Sequence, residues 1–258
     1  MNRINKLFQE KKDNILSVYF TCGYPELNDT STVIKELVAS GVDLIEVGIP
    51  FSDPVADGPV IQKSSEEALK NGISLKLIFE QLADIRKHVN IPLVMMGYLN
   101  PALQYGLEAF CAKCEEIGID GVILPDLTPD IYNKQYRKTF EKHGLSMIFL
   151  TTPQTTDERF RYIDSITNGF IYMVSDSATT GAKTGISDSQ KAYFERVKNL
   201  NLKNPRVIGF GISNNETFTT ACHYAHGAII GSAFIKALQG SGSLSENISG
   251  FVKGVLKK

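Results

Sequence analysis

The chain has 258 residues, 43% hydrophobic and 21% charged, with a formal net charge of −1. That balance gives no electrostatic reason to expect nucleic acid or an anionic membrane as partner, and no apolar run approaches the ~18 residues of a bilayer span. The start, MNRINKLFQEKKDN, is polar with no signal-peptide core, so the expected compartment is the cytoplasm.

A polar helix is expected first, followed by short apolar runs at 15–21, 43–49, 92–98, 120–124, 145–151, 169–174, 206–211 and 228–231 that read as strands. Amphipathic stretches at 29–40, 75–89, 107–117, 131–143, 157–166, 189–200 and 215–224 read as the helices between them, and another amphipathic segment closes the chain. Eight strands alternating with helices favour a closed (β/α)8 TIM barrel with an extra N-terminal helix over a doubly wound open sheet, which the alternation alone leaves open. Nothing resembles a linker, so residues 1–258 are expected to form a single TIM-barrel domain. Ser40-Gly41-Val42-Asp43-Leu44-Ile45 is echoed by Ile117-Gly118-Ile119-Asp120-Gly121-Val122, and more loosely by Ala225-His226-Gly227-Ala228-Ile229-Ile230. In the first two, a glycine suited to the left-handed conformation ends a helix just before a strand.

Four cysteines, Cys22, Cys111, Cys114 and Cys222, do not read as a disulfide framework in a chain with no export signal. Cys111 and Cys114 have zinc-like spacing, but no second CxxC or His pair completes a site, which favours helix packing and no metal. His223 and His226 read as the end of a helix.

The second strand departs from a buried parallel strand, which normally reads as a continuous apolar run. Glu46 interrupts Leu44, Ile45, Val47 and Ile49 and shares a face with Gly48, which leaves room beside it. Asp53 and Asp57 follow on a loop stiffened by Pro50, Pro54 and Pro59, so three carboxylates gather at one strand end as a candidate acid/base site. In barrels the chemistry lies at the carboxyl ends of the strands, and a phosphate is often held after strands seven and eight. The seventh strand ends in Gly209-Phe210-Gly211-Ile212-Ser213 and the eighth in Gly231-Ser232 before a helix, and a Ser/Thr/Gly-rich loop from Ser175 to Gly185 follows the sixth. These loops read as a phosphate cradle with a lid, or as glycines that only shape strand ends. Tyr172 faces the same way as Phe170 and Val174, either into the upper barrel or as core. No lysine and no His cluster stand at the strand ends, which disfavours Schiff-base and imidazole–metal aldolases. An apolar mouth from Tyr19, Phe51, Met96, Ile123 and Leu150 suits a phosphorylated substrate with an apolar ring.

LIEVGIPFSDPVADGPVIQ, with YFTCGYP, GYLNPALQYG, GVILPDL, GFGIS and IIGSAF in order, resembles the tryptophan synthase alpha-chain family over almost the whole chain. The resemblance implies a carbon–carbon lyase that cleaves indole-3-glycerol phosphate to indole and glyceraldehyde 3-phosphate. It also implies a beta-chain partner in an alpha2beta2 tetramer, with pyridoxal phosphate in the beta chain and no cofactor in this one. Carried over residue by residue, it places the catalytic groups on Glu46, Asp57 and Tyr172, and phosphate binding on Gly181, Gly211, Gly231 and Ser232. The indole pocket falls on Tyr19, Met96, Ile123, Pro125 and Leu150, and beta-chain contact on Pro50 and Asp53. The lid departs from the family's usual S-x-x-G-V-T-G: Ala178 replaces a glycine and Asp176 adds a negative charge. A subunit that mainly activates its partner, or another phosphosugar barrel, are the competing readings.

Overall fold

Residues 2–175, 186–209 and 211–257 are described by the structure, a computed structural model. Eight parallel strands close into a barrel in sequence order: β1 (Ile15–Thr21), β2 (Leu44–Gly48), β3 (Leu93–Met96), β4 (Gly121–Ile123), β5 (Ser146–Thr151), β6 (Ile171–Val174), β7 (Arg206–Gly209) and β8 (Gly227–Ile230). All eight expected strands form, and the closed barrel rather than the open sheet is the outcome. Val18, Val47, Val122 and Ile208 are among the strand residues completely removed from solvent, as a sheet sandwiched between a filled barrel and surrounding helices requires.

The expected helices at 157–166 and 215–224 form as Asp157–Ile166 and Asn215–Tyr224. The stretch at 131–143 is instead Pro129–Ile131, a π-helical turn at Tyr132–Tyr136 and Arg137–Lys142, and the one at 75–89 ends at Leu82 before a 3-10 turn. Cys111 and Cys114 lie on Leu107–Glu116, both fully buried, so they pack the core. His223 sits on the last turn of its helix, and His226 lies beyond the helix end.

The helix Arg3–Glu10 covers the floor of the barrel. Its capping Asn2 donates to Asp120 O at 2.6 Å and Gly144 O at 3.1 Å, and the Phe8 ring lies 6.0 Å from Phe170 and 6.1 Å from His226. A Cβ on Gly121 would stand 3.0 Å from Ile4 Cδ1, so Gly121 faces the interior, against the plug. Register carries that assignment round the sheet. Gly121 pairs with Val94, Val94 with Glu46, and Glu46 with Tyr19, so all four face inward.

The sequence echo has a physical basis on this floor. Ahead of each even-numbered strand, one side chain reaches back to the backbone of the strand before it. Asp43 accepts from Leu16 N–H at 2.9 Å, Asp120 from Leu93 N–H at 3.0 Å, and His226 Nδ1 from Arg206 N–H at 3.2 Å, while Thr167 donates to Met147 O at 2.6 Å. Gly41 (φ 94°) and Gly118 (φ 78°) take the left-handed turn expected of them just before the two aspartates. Asp120 is 3% exposed and is balanced by Arg86 at 2.6 Å and Arg3 at 3.1 Å.

Candidate active site

Glu46 stands midway along β2, facing inward and wholly buried. Neither carboxyl oxygen makes a hydrogen bond with a described residue. Burial penalises the ionised form, and its pKa is pushed up to about 8, with the Ser17 hydroxyl on β1 pulling the other way. The room beside Glu46 is not empty as the sequence implied. A Cβ on Gly48 would stand 2.4 Å from the Tyr19 hydroxyl, so the glycine exists to admit the tip of Tyr19. The same device recurs across the barrel. A Cβ on Gly209 would stand 2.2 Å from the Tyr172 hydroxyl. Two phenols thus lean over glycines on neighbouring strands. Both are buried and held protonated by that burial, and both sense the charges of Asp57 and Glu46.

Asp57 lies on the loop after β2, and what positions it is Tyr98. The Tyr98 hydroxyl donates to Asp57 Oδ2 at 2.9 Å and accepts from Ala56 N–H at 2.9 Å, and its ring stacks on Phe51 at 5.1 Å. Asp126, after β4, accepts from Leu99 N–H through both oxygens at 2.9 and 3.1 Å and so fixes the residue following Tyr98. Sequence reasoning missed Tyr98 because the apolar run was read as strand through residue 98, whereas β3 ends at Met96. Its only signal was an aromatic hydroxyl two residues past a strand end. Burial raises the Asp57 pKa to about 6, and the Tyr98 hydrogen bond restrains that rise. At neutral pH the two carboxyls therefore differ, with Glu46 mostly protonated and Asp57 mostly ionised.

Of the other expected positions, Met96 and Ile123 pair across β3 and β4 in line with Gly48, Leu150 pairs with Tyr172, and Pro125 is half-buried after β4. Tyr172 is 4% exposed. Gly211 has φ 75°, and Gly231 precedes the helix Ser232–Leu238, whose first turn receives no side-chain cap. Pro50 is buried and Asp53 exposed. Gly181, Asp176 and Ala178 lie outside the described residues, as does Phe210.

A closed barrel whose second strand carries a buried carboxyl with no hydrogen-bond partner among the described residues, and whose next loop carries a tethered aspartate, is specific enough to compare with known proteins. The sequence profile described as Tryptophan synthase alpha chain matches residues 5–253. The chain belongs to the tryptophan synthase alpha-chain family. Alpha chains from Flavobacterium johnsoniae and Flavobacterium psychrophilum are 61% and 59% identical to it; the alignments cover 94% and 99% of this chain and 96% and 100% of theirs. A crystal structure of tryptophan synthase subunit alpha from Legionella pneumophila superposes with a TM-score of 0.89 at 34% identity, covering 100% of this chain and 98% of that one. The Pyrococcus furiosus tryptophan synthase A-subunit gives 0.87 at 34% identity, covering 95% and 99%. The alpha-chain activity is that of a carbon–carbon lyase in tryptophan biosynthesis.

Proposed function

We propose that this chain cleaves indole-3-glycerol phosphate by a retro-aldol reaction in which Glu46 moves the proton and Asp57 stabilises the cationic ring. The observation that carries the reading is the contrast between the two carboxyls: Glu46 is wholly buried with no hydrogen-bond partner among the described residues, whereas Asp57 is held by the Tyr98 hydroxyl, so that burial pushes the first up to about 8 and the second only to about 6. Protonated Glu46 donates to ring carbon C3, and the ring nitrogen becomes cationic. Ionised Asp57 stabilises that charge in a site shielded from water. Glu46, now a carboxylate, takes the proton from the glycerol hydroxyl beside C3. The bond between C3 and the glycerol carbon breaks, its electron pair returns to the ring, and indole and glyceraldehyde 3-phosphate leave with Glu46 protonated again. Tyr172 supports the ring face, and Tyr19, Met96, Ile123, Pro125 and Leu150 line the indole pocket.

Gly211, Gly231 and Ser232, together with Gly181, receive the phosphate. The uncapped N–H groups at the start of Ser232–Leu238 support this assignment, since such groups suit an anion. The partner is a beta chain, in an alpha2beta2 assembly, that uses the indole and carries the pyridoxal phosphate; this chain works with side chains alone. Val55 is 84% exposed on the Asp57 loop, and Leu103, Tyr105 and Ile131 are exposed on the segments after β3 and β4, an apolar surface that supports docking there beside Pro50 and Asp53. Among the described residues no helix is long and apolar enough to cross a membrane, and we place this single-domain protein in the cytoplasm.

The test is steady-state indole release from indole-3-glycerol phosphate, with and without a beta chain. Glu46→Gln and Asp57→Asn are each expected to lose on the order of 10²–10⁴ in kcat while retaining the far-UV spectrum of the parent. Parent-like turnover in either variant refutes the assignment.

A further inference from the structure

Below Glu46 on the inner face of the barrel lies a hydroxyl that the reaction does not use. Ser17 precedes Tyr19 by two residues on β1 and therefore faces inward with it. Its register partners are Leu44 on β2 and Ile229 on β8, both apolar and buried. Glu46 is the next inward residue after Leu44, which makes it the polar neighbour diagonal to Ser17. Ser17 is 1% exposed and Glu46 0%.

The Ser17 hydroxyl oxygen and both Glu46 carboxyl oxygens make no hydrogen bond with a described residue. The two groups sense each other, because Ser17 moderates the rise in the Glu46 pKa, yet they do not meet in a direct bond of ordinary geometry. A serine hydroxyl offers one donor and two acceptor positions, and a carboxyl accepts at both oxygens and donates when protonated. Buried polar groups left without a protein partner are rare, and where two of them face a common space a buried water ordinarily bridges them.

We propose that Ser17 is a positioning residue for Glu46, the two groups together binding one buried water beneath the carboxyl, and that this water fixes the carboxyl's direction and stabilises its ionised form. The proposal rests on the reading of Glu46 as the proton carrier. After Glu46 gives its proton to the substrate, the water donates a hydrogen bond to the new carboxylate from below, leaving the upper oxygen free to take the glycerol proton. Ser17 accepts the water's other hydrogen. Among the described residues, the other titratable groups that sense Glu46 are Tyr19 on β1 and Tyr172 on β6, both held protonated, so neither changes charge while Glu46 titrates.

The test uses the parent chain, Ser17→Ala and Ser17→Thr. A crystal structure of the parent at about 1.5 Å is expected to show a water within hydrogen-bond distance of Ser17 Oγ and a Glu46 oxygen. Carbon-13 NMR titration of the Glu46 carboxyl is expected to give a pKa about one unit higher in Ser17→Ala, a tenfold change in the protonation ratio, with the parent value restored in Ser17→Thr. The kcat profile of Ser17→Ala is expected to shift by the same amount, with KM changed less than twofold. A role confined to packing changes the melting temperature and leaves the titration where it was. Density showing no water at the pair, or a Glu46 titration identical in the three proteins, overturns the proposal. These readouts stand apart from the role of Glu46 itself, which fails only if Glu46→Gln retains cleavage.

Discussion

Replacing Glu46 with glutamine removes a pH dependence of stability whose size can be calculated in advance. A carboxyl whose pKa rises from 4.5 to about 8 on folding binds more protons in the folded state than in the unfolded state between those limits. Its contribution is therefore complete below the lower value and is lost as pH rises through the upper one. At 1.36 kcal/mol per unit, the loss is about 3 kcal/mol at pH 7 and about 5 kcal/mol at pH 9. Glutamine has the same shape and no proton to release, so Glu46→Gln loses none of this. The stability of the variant relative to the parent is expected to rise by about 4 kcal/mol from pH 5 to pH 9, whatever constant offset the amide brings. Urea unfolding followed by far-UV circular dichroism measures the difference at each pH; the chain has no tryptophan to report by fluorescence. A difference that stays constant within about 1 kcal/mol over that range refutes the claim that burial holds the Glu46 proton.

Tyr98→Phe removes the donor to Asp57 and the acceptor for Ala56 N–H. It is expected to cost about 1–3 kcal/mol of stability and to move the acidic limb of the rate profile upward, because the bond that restrains the Asp57 pKa is gone; unfolding and pH–rate measurements check this. Gly209→Ala places a methyl 2.2 Å from the Tyr172 hydroxyl and must displace that ring. Turnover is expected to fall about tenfold or more, with about 1–3 kcal/mol of destabilisation, and an unchanged kcat would show that Tyr172 is not needed where it stands. Asp120→Ala leaves Arg86 without its carboxylate partner and Leu93 N–H without its acceptor. It is expected to cost about 3–5 kcal/mol in unfolding while kcat stays near the parent value, since this floor is far from the strand ends that carry the chemistry.

All eight strands were legible because parallel strands covered on both faces are apolar throughout, and Glu46 stood out against that background. The helix Pro59–Lys70 was not read from its sequence. Its buried side is Ile61, Ser64, Ser65 and Ala68, with small side chains at three of the four positions because it packs close to β1, where Thr21 and Ser64 share a hydrogen bond at 2.7 Å. No apolar period of 3.6 residues exists there to be seen. The conformation of the Asp57 loop was equally hidden. Three prolines signalled stiffness, but the hydrogen bonds that fix Asp57 come from Tyr98, 41 positions away in the chain. Gly48 was read as space and proves to be clearance for a neighbour, a distinction that depends on strand register and not on composition.

The plug helix Arg3–Glu10 has a consequence for the order of assembly. It precedes β1 in the chain, yet Asn2 binds at residues 120 and 144 and Phe8 rests on Phe170 and His226. During synthesis this segment is therefore made early and finds its seat only when the start of β8 has emerged. Until then Phe8 lacks the rings it packs against. A segment made before any of the strands is thus among the last to find its place, and the barrel can be sealed from below only once the start of β8 has been made.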